Sequence, residues 1–221
     1  MIKIATILPY KENYTYKNAG AAALWVRDFF KYSKYKKDNY IFGSTSTKDY
    51  LTKNYININL KNNSKFSSAT IQYCNSLIKK IRNKYDIVEI HNRPLVFIYL
   101  KKQIESKFII HFHNDPLSMK GSKTVKERLF LLKNADKIIF ISKWVQKRFF
   151  EGIDQKLIID TDVIYHSIDK EKKLSKKNNN IVFVGKLNPS KGYDIYRDAV
   201  IKILNEFKNW KAYSIGDEKR N

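Results

Sequence analysis

Ile181-Val182-Phe183-Val184-Gly185-Lys186-Leu187-Asn188-Pro189-Ser190-Lys191-Gly192 runs from four apolar residues, β-branched or aromatic and without polar alternation, into a basic loop closed by glycine. Such a run reads as a strand buried on both faces, which belongs mainly to parallel sheets. The strand stops at Gly185. Beyond Gly192, residues 193–207 form an amphipathic segment in which Ile195, Ala199, Ile203 and Phe207 recur at helical spacing. Strand, basic loop and helix follow one another, and in open α/β sheets ligands sit outside the carboxyl ends of the strands. A helix start there offers free N–H groups to an anion, and Lys186 and Lys191 add positive charge.

Gly185-Lys186 with Lys191-Gly192, after such a strand and before such a helix, resembles the donor-phosphate loop of glycosyltransferase family 4, retaining enzymes of the GT-B fold. Family members usually carry Gly-Arg, then Lys-Gly. By that resemblance Gly185, Lys186 and Lys191 bind the donor, the two lysines gripping the diphosphate of a nucleotide-sugar. Lysine in place of arginine at 186 keeps the charge and loses the bidentate fork. The plainer reading is a solvated loop in a lysine-rich protein.

The 221 residues carry a formal charge of +22, from 43 Lys and Arg against 21 Asp and Glu. Such charge suggests nucleic acid or an anionic membrane as partner. AT-rich coding alone would also generate it, since lysine, asparagine, isoleucine and tyrosine are all abundant. A hydrophobic fraction of 43% is ample for a packed core. The single cysteine, Cys74, excludes an internal disulfide and a cysteine-built metal cage, and its helical phase with Ile71, Leu77, Ile78 and Ile81 places it in a core. No apolar run approaches the length of a membrane span, and residues 4–10 are too short for a signal-peptide core. The expected location is cytoplasmic, peripheral on the inner face of the plasma membrane if the basic surface docks there.

From the N-terminus, residues 3–8 read as a strand, the loop after Pro9 runs to Gly20, and 21–32 read as a helix. In the resembling family the glycine after the first strand lies where acceptor and donor meet, and Gly20 matches it; otherwise it only starts a helix. From Leu24 to Lys37 aromatics alternate with bases, a composition suited to anionic lipid, while a core-facing helix explains Trp25 and Phe29 equally well. Residues 39–42 and 55–60 read as short strands, and 67–84 as an amphipathic helix.

A strand over 87–90 ends at His91-Asn92-Arg93-Pro94, with Pro94 placed for the first turn of a helix reaching 104. A strand over 107–112 ends at His113-Asn114-Asp115-Pro116. This second set resembles the family's histidine loop after the fifth strand, which makes His113 the catalytic candidate, near the donor sugar. Asn92 and Arg93 are acceptor-side candidates. His111 lies on the same side of the pleat as His113, but deeper. A lone histidine at a strand end is commonly structural, yet His91, His111, His113 and His166 all fall at predicted strand ends, and together they point to a cleft.

A helix over 123–134 leads to a strand over 137–141, and Ser142 is placed as N-cap of the next helix, which ends near Gly152. The last strand of this half is 163–165. His166-Ser167 stands where the family usually has Asn-Gly. Asp160-Thr161-Asp162 has the spacing of a metal-binding acidic pair, but precedes its strand and so sits at the wrong end of the sheet. Residues 169–180, with Leu174 the single apolar residue, read as a linker. After 181 comes a second unit ending in a strand over 211–215 and Gly216-Asp217.

The expected architecture is therefore α/β and GT-B-like. A doubly wound, parallel, Rossmann-like N-terminal domain occupies 1–168, followed by the start of a second Rossmann-like, nucleotide-sugar-binding domain at 181–221. The resemblance implies transfer of a hexose from a nucleotide-sugar to a hydroxyl of a glycan or lipid-linked acceptor, with retention, in cell-envelope polysaccharide, glycolipid or lipopolysaccharide synthesis. It implies no metal and no further cofactor. The family's second domain carries two glutamates separated by seven residues, whereas only Glu206 and Glu218 follow residue 181. Truncation is thus expected, with exposed apolar strand surface driving self-association or binding of a partner chain. The rival readings are a catalytically incomplete acceptor-binding subunit and a nucleic-acid binder. Against the latter, the lysines are spread through every segment and no helix-turn-helix, zinc finger or stacking signature occurs.

Overall fold

The computed structural model describes residues 2–60, 68–154, 160–170 and 176–217. Ser67, Leu174 and Glu218, invoked above, lie outside the described residues. The chain divides into two compact units, 1–168 and 169–221.

In the first unit the elements are β1 (Ile4–Ile7), α1 (Ala21–Tyr32), β2 (Asn39–Gly43), β3 (Tyr55–Asn57), α2 (Ala69–Ile81), β4 (Ile87–His91), α3 (Pro94–Lys101), β5 (Lys107–Phe112), α4 (Val125–Asn134), β6 (Lys137–Phe140), α5 (Lys143–Phe150) and β7 (Thr161–Val163). The strands form one sheet in the order β3-β2-β1-β4-β5-β6-β7, and every pairing is parallel. Chain order runs outward in both directions from the β1–β4 junction. That junction is the topological switch point of a doubly wound sheet, where a ligand crevice is expected at the carboxyl ends.

The two faces of the sheet differ in chemistry. Ala5, Ile7, Val88, Ile90, Phe108, Ile110, Phe112, Ile138 and Phe140 are buried against α2 to α5, with Cys74, Leu77 and Ile81 from α2 and Phe149 from α5 in the same cluster. Burial pushes the Cys74 thiol up to about 12, so it is an inert core residue. The period of two puts the intervening residues Thr6, Glu89, His91 and His111 on the opposite face. There a smaller apolar cluster of Leu8, Tyr14, Ala23, Trp25, Val26, Ile41, Leu51 and Tyr55 surrounds them. Trp25 of α1 belongs to this core, so the core-facing reading of that residue holds.

Local signals explain several boundaries. Pro94 opens α3, and the Ser142 hydroxyl accepts from the Val145 N–H to cap α5. Helix α4 starts at 125 rather than 123 because Thr124 and Glu127 form a reciprocal capping box. Strand β7 lies two residues earlier than expected, its pairing Ile138↔Thr161 and Phe140↔Val163 being set by β6 rather than by the apolar run. Asp162 thus lies inside the strand, and Lys137 Nζ pairs with Asp160 at 2.9 Å and Asp162 at 2.8 Å. Those acids neutralise a lysine at the amino end of the sheet. No helix among the described residues is long and apolar enough to cross a membrane.

The second unit contains β8 (Asn180–Val184), α6 (Tyr193–Glu206) and β9 (Lys211–Ile215), with β8 and β9 parallel. Burial of 181–184 on both faces is not observed: Val184 is 75% exposed, because a single helix covers only one side of a two-stranded sheet. The covered side is aromatic. Phe183 packs on Tyr193 and Tyr196, and the Tyr196 hydroxyl donates to the Tyr213 carbonyl at 2.9 Å. The face of α6 turned to the sheet is therefore the one carrying Tyr193 and Tyr196, not the stripe of Ile195, Ala199 and Phe207; Ile195 is 72% exposed.

Candidate functional site

The carboxyl ends of β4 and β5 are tied together by one side chain. Asn92 adopts a left-handed backbone (φ 55°), which asparagine tolerates, and its N–H donates to the His111 carbonyl at 2.8 Å. Its Oδ1 accepts from the N–H groups of His113 and Asn114. Arg93 donates to the Asn92 carbonyl at 2.8 Å and stacks over the Tyr10 ring, which follows β1. The switch point is thereby lined by Tyr10, Asn92 and Arg93. Asp115 caps the turn Pro116–Ser118 and pairs with Arg148 of α5 at 3.1 Å, fixing the loop that begins at His113.

All four histidines converge. The rings of His91 and His111 stack at 4.3 Å. His113 Nε2 lies 2.9 Å from His91 Nδ1, and its Nδ1 lies 3.3 Å from His166 Nε2. Trp25 lies over all four, with ring centroids 5.0 to 6.0 Å away. The expected open cleft is, for three of them, a closed pile, since His91, His111 and His113 are buried and only His166 is exposed. Burial drives His111 and His113 down to about 3 and His91 well below its usual range, with neighbouring imidazoles adding to the effect. At neutral pH they are uncharged, each with one donor and one acceptor. Among the described residues, the Trp25 indole N–H, His91 Nε2 and both nitrogens of His111 are buried with no hydrogen-bond partner.

Two carboxylates escaped the sequence reading. Glu12 Oε1 accepts from the Ala23 N–H at 3.2 Å in the first turn of α1, and a Cβ on Gly20 would collide with that oxygen. Gly20 is thus the gap through which Glu12 reaches the helix start, favourable for an anion. Glu89, half-buried beside the histidines, meets the Thr6 hydroxyl at 2.9 Å, and Thr6 also lies 2.9 Å from Asn39 Oδ1. Glu89, His91 and His111 each bring one ligand atom within 4.8 Å of the others.

In the second unit, Lys186 and Lys191 are exposed on the loop between β8 and α6. The loop passes through a short turn, Pro189–Lys191, and reaches α6 at Gly192, whose left-handed backbone (φ 74°) suits glycine. Asp194 adds one acid to the first turn of α6. At the loop's other end the Gly185 N–H donates to the Ile215 carbonyl at 3.0 Å, and a Cβ on Gly216 would overlap the Gly185 carbonyl.

No protein-family model matches the chain. Over 125 residues, 54% of its length, it is 34% identical to an uncharacterized glycosyltransferase of Methanocaldococcus jannaschii, of which the match spans 32%. Among solved structures it is similar to Anabaena HepE in complex with UDP and glucose (TM-score 0.68, 19% identity, 98% of this chain and 61% of that one). It is also similar to the lipopolysaccharide outer core galactosyltransferase WaaB (TM-score 0.63, 14% identity, 97% of this chain and 68% of that one). At these identities the likeness is one of fold, and it agrees with the GT-B-like architecture expected above. The chain spans about a third of the curated relative and less than two thirds of HepE.

Proposed function

We propose that this chain belongs to a retaining glycosyltransferase of family 4 type, moving a hexose from a nucleotide-sugar to a hydroxyl of a glycan or lipid-linked acceptor in cell-envelope polysaccharide or lipopolysaccharide synthesis. The observation that carries the reading is the position of Lys186 and Lys191, both exposed on the loop that follows the carboxyl end of β8 and leads into α6. Two ammonium groups and a helix start suit a diphosphate, whose charge the lysines neutralise without a metal. HepE, with the same fold, was solved with UDP and glucose and with UDP-glucose, which favours a uridine nucleotide as donor.

In this reading Gly185 lets the backbone approach the diphosphate, and His113 acts beside the donor sugar. Its Nδ1 faces His166, the exposed member of the four, and is the ring atom on the side toward solvent. Gly20, Asn92 and Arg93 shape the acceptor side around the switch point. The basic C-terminal end of α1, with Lys31, Tyr32 and the lysines beyond it, docks on anionic lipid at the inner face of the plasma membrane.

A second reading is favoured by the exposed apolar residues Val182, Val184 and Ile215 of the small sheet. It takes the chain as an acceptor-binding subunit whose donor half is completed by a partner chain or a second copy. Titration of UDP-sugars by calorimetry, followed by NMR of the product's anomeric proton, separates the two. Donor binding with a retained anomer supports the transferase. Acceptor binding without donor binding supports the subunit.

A further inference from the structure

We propose that Glu89, His91 and His111 form a binding site for a divalent transition-metal ion of the zinc class, inside the first unit and independent of sugar transfer. The site follows from register. His91 and His111 are direct cross-strand partners in β4 and β5, and Glu89 lies two residues before His91, so all three project from one face of the sheet. One ligand atom from each falls within 4.8 Å of the others. With zinc bonds of about 2.0–2.2 Å, tetrahedral donors sit roughly 3.3–3.6 Å apart, so the three atoms must draw together by up to about 1.5 Å through side-chain rotation.

Two of the donors, His91 and Glu89, are held by a neighbouring side chain. His91 Nδ1 is engaged by His113, which leaves Nε2 as the donor, and that nitrogen is buried without a protein partner. A ligating imidazole typically has its other nitrogen held in this way. His111 is 5% exposed, and neither of its nitrogens has a partner among the described residues. Glu89 is oriented by the Thr6 hydroxyl, itself in contact with Asn39. One hydroxyl hydrogen cannot serve both neighbours, and an ionised, metal-bound Glu89 takes it while the Asn39 amide turns its NH2 to the Thr6 oxygen. Two imidazoles and a carboxylate are a donor set that zinc, cobalt and ferrous ions accept.

The stacked rings of His91 and His111 must tilt for their in-plane lone pairs to converge, and Trp25 lies 5.3 and 5.4 Å from them. Metal binding is therefore expected to alter the fluorescence of Trp25. The test uses the tag-free full chain, stripped with EDTA and then given Zn2+ or Co2+. The expected results are one metal per chain by elemental analysis after gel filtration, a melting temperature about 5 °C higher with Zn2+, and visible Co2+ bands of a low-coordinate site. His111→Asn and, separately, Glu89→Gln should weaken binding about 100-fold or more while circular dichroism stays native. Metal binding unchanged in both variants overturns the assignment, as does failure of the natively folded chain to bind Zn2+ or Co2+ stoichiometrically.

Discussion

Asn92 Oδ1 accepts hydrogen bonds from two consecutive backbone N–H groups, that of His113 at 2.9 Å and that of Asn114 at 3.2 Å. An acceptor-side candidate by sequence is thus the residue that sets the direction in which the His113 loop leaves β5. Replacing it by alanine orphans two donors and leaves a side chain with a Cβ at positive φ. The expected cost is about 2–4 kcal/mol, against a smaller loss for Asn92→Asp, which keeps the acceptors. Chemical denaturation of the three proteins checks the order.

Lys186→Ala and Lys191→Ala are each expected to lower nucleotide-sugar affinity about 10- to 100-fold, the range for losing a hydrogen bond to a charged group. Both side chains are exposed, so stability should hardly change. Calorimetry with UDP-sugar provides the measurement, and unchanged affinity in both variants would remove the donor-loop assignment.

His113→Ala should lower turnover more than donor affinity, because a group beside the reaction centre acts chiefly in the transition state. The ring also bridges His91 and His166, so a purely structural role predicts equal changes in both parameters together with a lower melting temperature. Comparing kcat with KM, and with melting curves of the same samples, tells the two apart.

Gly20→Ala is expected to displace the Glu12 carboxylate from the start of α1, since the new methyl group would occupy its place. The predicted loss is about 1 kcal/mol, similar to that of Glu12→Ala, and the double variant should be little worse than either single one. A double-mutant cycle by urea denaturation reads this directly, and additive losses would show that the two residues act separately.

The main architecture was legible because it rests on local signals. Largely apolar runs gave β4, β5 and β6, a Pro at the first turn gave α3, and a Ser before an amphipathic segment gave α5. The candidate residues at the strand ends also converge, since the carboxyl ends of parallel strands share one edge of the sheet. What stayed hidden depends on distant partners. The Glu12 carboxylate reaches Gly20 only through the fold of the intervening loop, and Trp25 covers histidines contributed by β4, β5 and the segment after β7. Glu89 reads as one polar residue in a strand until the neighbouring strands bring Thr6 and His111 to it. The packed face of α6 was misjudged for a related reason: the Tyr196 hydroxyl donates to sheet carbonyls, which an apolar count cannot register.

At Gly216 a methyl group would have no room beside the Gly185 carbonyl, so two strands meet there backbone to backbone. The shape of the loop that begins at Gly185 is consequently a shared property of two glycines far apart in the chain. If the loop binds the donor as proposed, a genetic screen for defective nucleotide handling would recover substitutions at 216 although that position carries no chemistry of its own. In the proposed reading, residues 187–190 between the two lysines can be varied to alter donor preference, provided that this glycine pair is held constant.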